Sequence, residues 1–230
     1  MKHTAIVMMG VLSLLSKIAL SDTNVVLGVQ DGLVLRSGVR VADGAYPFTH
    51  IKVSGTQGWF ASIWAGGNSI ATDVHKHHKI DTTIGRRVWS GERCHATMSF
   101  THSFARPLSN NALHSFIPSI GGMCALDHNW TVSANALGVL VPAEPKFNGY
   151  LTNVSLAGST QMSTRLDMGM TGAIGYDGSY GLTRPYVAAS LWGTYKLSES
   201  MSLRAGIRAW KPDGDRHQTS FGLQLEYHFN

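Results

Sequence analysis

The chain has 230 residues and a formal net charge of +5 with histidine counted neutral. Charged residues make up only 14% of it, against about 25% in ordinary soluble proteins. Yet no apolar run reaches the about 20 residues that a spanning helix needs, so helical membrane proteins and charge-rich soluble domains are both poor descriptions.

At the N-terminus, Lys2 and His3 precede an apolar stretch from Ala5 to Leu15 broken only by Ser13, and Ala19-Leu20-Ser21 puts small residues where a signal peptidase reads them. Residues 1 to 21 are therefore expected to be a cleaved secretory signal, and 22 to 230 a single exported domain. Removing Lys2 and Lys17 with that segment lowers the formal charge to +3, so the basic balance implies no nucleic-acid partner.

Strands follow, recognised by their period of two. The first is expected at 24 to 41, with Val25, Leu27, Val29, Leu33, Leu35, Val39 and Val41 on one face and Gly28, Gln30, Arg36, Gly38 and Arg40 on the other. Five more are expected at 47 to 55, 58 to 66, 78 to 89, 92 to 104 and 113 to 126. The remaining six are expected at 129 to 141, 148 to 158, 161 to 172, 184 to 197, 200 to 211 and 217 to 229. The last is the clearest, setting Phe221, Leu223, Leu225, Tyr227 and Phe229 against Ser220, Gly222, Gln224, Glu226 and His228.

The connections between these strands are about 5, 3, 11, 2, 8, 2, 6, 2, 11, 2 and 5 residues long in order, so longer and shorter loops alternate. That rhythm predicts an all-β, transmembrane antiparallel β-barrel of about 12 strands, with both termini periplasmic. Ser90-Gly91, Asp127-His128, Ser159-Thr160 and Ser198-Glu199 are the expected periplasmic turns. A soluble β-sandwich shares the short alternating strands but has less reason for this loop rhythm. Trp59, Trp89, Trp130, Tyr150, Tyr186, Trp210 and Phe229 stand near strand ends, where interfacial aromatic girdles lie.

The early strands carry Asp31-Gly32-Leu33-Val34-Leu35-Arg36-Ser37-Gly38, Tyr46-Pro47, Gly58-Trp59-Phe60-Ala61-Ser62-Ile63-Trp64-Ala65 and Lys79-Ile80-Asp81-Thr82-Thr83-Ile84-Gly85. Over residues 24 to 89 this order and spacing resembles the TorF-type porin family of proteobacterial outer-membrane barrels. Gly32 stands where that family usually has an aromatic, Lys79 where it has an acid, and Asn230 follows the final aromatic. The resemblance implies an outer-membrane channel, with no catalytic residue and no cofactor to carry over.

With the apolar face outward, parity sends Arg36, Arg40, His50, Lys52, Asp81, Arg87, Arg165, Asp167, Arg204, Arg208 and Glu226 to the lumen. Such a lining favours small anionic solutes. The same charges can instead pair into a plug, since twelve strands enclose a narrow interior, and Trp192 and Tyr186 also point inward. A hairpin centred on Asn110 places Cys94 directly opposite Cys124, which in an oxidising compartment suggests a disulfide.

Other partners expected of such a chain are outer-membrane lipid, lipopolysaccharide and the barrel-assembly machinery. His75, Lys76, His77 and His78 crowd one extracellular loop. This run is read as a polar loop tip rather than a metal site, with Lys76 and Lys79 available to lipopolysaccharide phosphates. An enzymatic alternative rests on His102-Ser103 and His114-Ser115, which parity sets at the outer rim, where a histidine can activate a serine toward lipid. A third reading is a filled barrel that acts through its surface alone.

Overall fold

The computed structural model describes residues 20–34, 40–67, 78–106, 113–179, 184–212 and 218–229. It contains β1 (Leu20–Val34), β2 (Arg40–Gly55), β3 (Trp59–Gly67), β4 (His78–Ser90), β5 (Cys94–Arg106) and β6 (Leu113–Ala125). The second half contains β7 (Trp130–Val139), β8 (Gly149–Gln161), β9 (Leu166–Asp177), β10 (Arg184–Lys196), β11 (Met201–Pro212) and β12 (Gln218–Phe229). Every strand is antiparallel to its neighbours, and β1 returns to β12 from Thr23↔Phe229 to Gln30↔Gly222, so the twelve strands close. Closure removes the unpaired edges of a β-sheet.

Sequence chemistry sets the tight turns at one end. Asp127 Oδ1 accepts from the backbone N–H groups of Asn129 at 2.7 Å and Trp130 at 2.9 Å. Ser163 Oγ accepts from Arg165 at 3.3 Å and Leu166 at 3.1 Å. Both are side-chain mimics of a backbone turn. Between β2 and β3, Gln57 (φ 59°) and Gly58 (φ 76°) take left-handed conformations, and Gly58 does so without a Cβ penalty. The connections at the opposite end span 35–39, 68–77, 107–112, 140–148, 178–183 and 213–217 and are the longer set.

Two strand limits differ from the sequence reading. The alternation from 24 to 41 runs through a hairpin: β1 ends at Val34 and β2 begins at Arg40, because Leu35 and Val39 prolong the apolar rhythm across the turn. The register shift between Asp31 and Leu33, with Gly44 at φ 77°, absorbs the Asp43-Gly44 pair that reads as a loop. Likewise Ser159-Thr160 is no turn. β8 continues to Gln161, and Met162 and Thr164, which alternate like strand residues, form the turn instead. The expected signal segment through residue 19 lies outside the described residues.

Pro118 sits inside β6 without disturbing the pairing of β5 with β6, which runs from Cys94↔Cys124 to Ala105↔Leu113. The gap falls on the other side, between Ser119↔Leu137 and the isolated bridge Phe116↔Leu140. A proline lacks the N–H for one ladder only. Its ring lies beside Gly138, where a Cβ would sit 3.6 Å from Pro118 Cγ.

The barrel has two chemically distinct faces. Ile174 (63% exposed), Leu191 (56%), Phe221 (56%) and Met170 (51%) represent outward rows of bare apolar side chains. Outward aromatics Trp59, Trp89, Trp130, Tyr195, Tyr227 and Phe229 gather at the tight-turn end. Buried side chains belong to the inward rows and concentrate toward the longer-loop end, where Tyr46, Leu151, Tyr186 and Trp210 form an inner collar. Tyr186 and Trp210, at strand ends, thus belong to this collar and not to an outer girdle; they pack together with Ala188.

Candidate functional site

Closure turns the inward rows into the wall of an enclosed space, and register fixes which residues share it. On β2 to β4, Phe48 pairs with Gly66, His50 with Trp64 and Lys52 with Ser62, and Trp64 in turn with Asp81. Tyr46 is fully buried, donates to Gly66 O at 3.1 Å and stacks on Trp64 with centroids 6.1 Å apart. Lys79 Nζ lies 2.6 Å from Asp81 Oδ2 and 5.7 Å from the Trp64 ring centroid. Lys79 therefore faces inward with its own counter-ion and is not placed to meet lipopolysaccharide.

The next arc, β4 to β8, is neutral and hydroxyl-rich. Thr83 and Thr101 oxygens are 2.7 Å apart, Ser99 and Ser119 2.6 Å, and Ser133 and Ser155 2.7 Å. Asn135 donates to Asn153 at 3.3 Å, and Asn153 reaches across β9 to the Tyr186 hydroxyl at 3.4 Å. The reach crosses Gly175, where a Cβ would meet the Tyr186 ring at 2.5 Å.

Basic side chains dominate the third arc, β9 to β12. Asp167 pairs with Lys196 at 3.2 Å, and Arg204 with Glu226 at 4.0 Å. Arg204 stacks on Trp192 with its guanidinium carbon 4.2 Å from the ring centroid, and Arg208 on Trp210 at 4.8 Å. Alternation anticipates Asp167, Arg204, Arg208 and Glu226, but not Lys196, which stands at a strand end. The charges do not form one network: Asp167 takes Lys196, Glu226 takes Arg204, and these pairs and Lys79–Asp81 each join one strand or two neighbours.

The other expected lumen residues fall as follows. Lys52 and Arg87 occupy inward register positions, with Lys52 over the Phe60 ring at 5.4 Å. Arg165 is a correction: it is exposed in the turn between β8 and β9, because that strand starts four residues later than its alternation suggests. Arg36 lies outside the described residues, and Arg40 opens β2 with only its backbone described. Arg184 is a further inward cation at the longer-loop end, in register with the buried Asp177.

Cys94 and Cys124 are joined by a disulfide on an outward row near the tight-turn end. His75, Lys76 and His77 are outside the described residues, and among the described residues no group of three or more His, Cys, Asp or Glu is arranged to hold a metal.

The serine–histidine arrangement is overturned by the same alternation that suggested it. His102 and His114 are outward and hydrogen-bond to each other, Nε2 to Nδ1, at 3.0 Å. Ser103 and Ser115 face each other on the inward side, 2% and 4% exposed. Consecutive residues of a strand point to opposite faces, so neither histidine meets the serine beside it.

No protein-family model matches the chain, and no curated protein sequence does. Among solved structures, it is similar to the KdgM porin in complex with disordered oligogalacturonate, with a TM-score of 0.61, 10% identity, and 91% of this chain and 99% of that one covered. It is also similar to the NanC porin (TM-score 0.58, 9% identity, 89% and 98% covered). A third is the outer membrane phospholipase A from Escherichia coli (TM-score 0.51, 12% identity, 92% and 98% covered). These likenesses show a fold shared by channels and an enzyme, so function has to be argued from the wall.

Proposed function

We propose that the chain forms a channel in the outer membrane of a Gram-negative bacterium and passes small solutes, favouring anions. The observation that carries this reading is the pairing of two faces in one closed barrel: bare apolar rows outside, and inside a polar wall with Arg204 and Arg208 on its β11 arc. An apolar exterior suits hydrocarbon, whose thickness tilted strands of about 9 to 11 residues cross. The tight turns then lie in the periplasm with both termini, and the longer loops outside.

A filled barrel would tie opposite walls together, whereas the ion pairs Lys79–Asp81, Lys196–Asp167 and Arg204–Glu226 run along the wall. That supports an open lumen narrowed by the inner collar at the longer-loop end. The likeness to KdgM and NanC, both described as porins, and the TorF-type motifs of residues 24 to 89 point the same way. The residues proposed to line the passage are Lys52, Asp81, Arg87, Asp167, Arg204, Arg208 and Glu226.

Swelling of proteoliposomes in isosmotic solutions of small solutes tests this. The expected result is faster swelling than in protein-free vesicles, with small anions entering ahead of cations of similar size. Swelling indistinguishable from protein-free vesicles would instead identify a filled barrel.

A further inference from the structure

The inward face of β10, β11, β12 and β1 contains a recess of about 390 Å³, a size typical of small-ligand sites. Arg204 and Arg208 line it from one strand, so their Cα atoms are about 13 Å apart at about 3.4 Å per residue. Between them Gly206 pairs with Gly222 of β12, and this double glycine lowers the floor midway between the two cations. Hydroxyl and amide groups of Ser190, Ser220, Gln30 and Gln224 rim the same recess.

Both guanidiniums are held flat. Arg204 lies on Trp192, whose indole in turn covers Gly169 of β9, and Arg208 lies on Trp210. A guanidinium fixed by stacking retains its planar fork of donors, the geometry that grips a carboxylate with two parallel hydrogen bonds. Trp210 is 4% exposed, yet its indole Nε1 makes no hydrogen bond, and neither does Oε1 of Gln218, its register partner. An unpartnered buried donor is costly, and here it belongs to a side chain that lines the recess. Glu226, 4.0 Å from Arg204, is the acid on the same wall; the contact is long and leaves guanidinium donors for a second anion.

We propose that this recess binds an elongated, hydroxyl-bearing polycarboxylate, with one carboxylate at Arg204, another at Arg208, and the polar linker crossing the glycine floor. This inference rests on the inward facing of β10 to β12 used for the channel reading and adds a ligand class to it. Two sources carry the chemistry, short acidic oligosaccharides and aliphatic dicarboxylates, and the linker's hydroxyls distinguish them.

Isothermal titration of the folded barrel in detergent, with tetragalacturonate, galacturonate, an aliphatic dicarboxylate of matched length and an uncharged tetrasaccharide, tests the site. Tetragalacturonate is expected to bind about tenfold or more tightly than galacturonate, and the uncharged tetrasaccharide not measurably, since each lost charge-assisted contact costs about that factor. Comparable binding by the aliphatic dicarboxylate would assign the aliphatic source, and weaker binding the saccharide source. Arg204→Gln with Arg208→Gln should abolish the preference for the tetramer, Trp210→Phe should weaken binding while keeping the ring, and Lys146→Gln, on a remote loop, should change neither. Equal affinity for monomer and tetramer, or a double variant that binds like the parent, overturns the proposal. Chloride conductance that persists without carboxylate binding rejects this site alone, while binding without conductance rejects the channel.

Discussion

Glycine beneath an aromatic ring recurs along the inward wall: Gly28 under Phe48, Gly85 under Phe60, Gly169 under Trp192 and Gly175 under Tyr186. Each ring closes over a backbone it would otherwise clash with, a cross-strand device that covers an exposed glycine and locks the ring. Trp192 is the consequential case, because Arg204 lies on its outer face. Gly169→Val is expected to lift that indole, costing about 1 to 3 kcal/mol as an overpacked site does, which urea unfolding in vesicles would register. The disulfide acts at the same scale through the unfolded chain: its partners are 30 residues apart, so Cys94→Ala with Cys124→Ala should lower stability by about 2 to 4 kcal/mol. A loss below half a kcal/mol would show that the hairpin is held by its ladder alone. Cys94 facing Cys124 was legible in the sequence because a regular hairpin needs only its centre; the glycine–aromatic pairs were not, since they join strands whose relative register depends on every turn between them.

At the scale of the strand, alternation made most of the fold legible and also caused its misreadings. The last strand, with five apolar and five polar positions in strict succession, is found at Gln218–Phe229. Where alternation continued through a turn, as at Leu35 to Val39 or Met162 to Thr164, the boundary was lost and Arg165 went with it. Parity itself can be tested with adjacent residues on β10. Leu191 is outward and 56% exposed, and Ser190 is inward beside Arg208. Leu191→Lys should destabilise the barrel in lipid by about 2 to 4 kcal/mol, the cost of a charge near the bilayer midplane. Ser190→Lys should cost much less. Equal costs, measured by urea titration of both variants in the same vesicles, would mean that the outward row does not meet hydrocarbon.

Across the whole molecule the wall is divided: a mixed arc with Tyr46, Trp64 and the Lys79–Asp81 pair, a neutral hydroxyl arc from β4 to β8, and an arginine-bearing arc on β11. Composition alone predicted a basic lining but could not divide it, because which charges cancel depends on pairs such as Lys196–Asp167 that form only when neighbouring strands set their register. An ion crossing such a lumen meets one strongly basic side, and Arg204→Glu with Arg208→Glu should move the permeability ratio toward cations. The measurement that bears most directly on the account is the zero-current potential of the refolded barrel in planar lipid bilayers under a potassium chloride gradient. The account predicts an open, ion-conducting barrel with a potential of the sign set by chloride. A silent barrel, or a potential of the sign set by potassium, would contradict it.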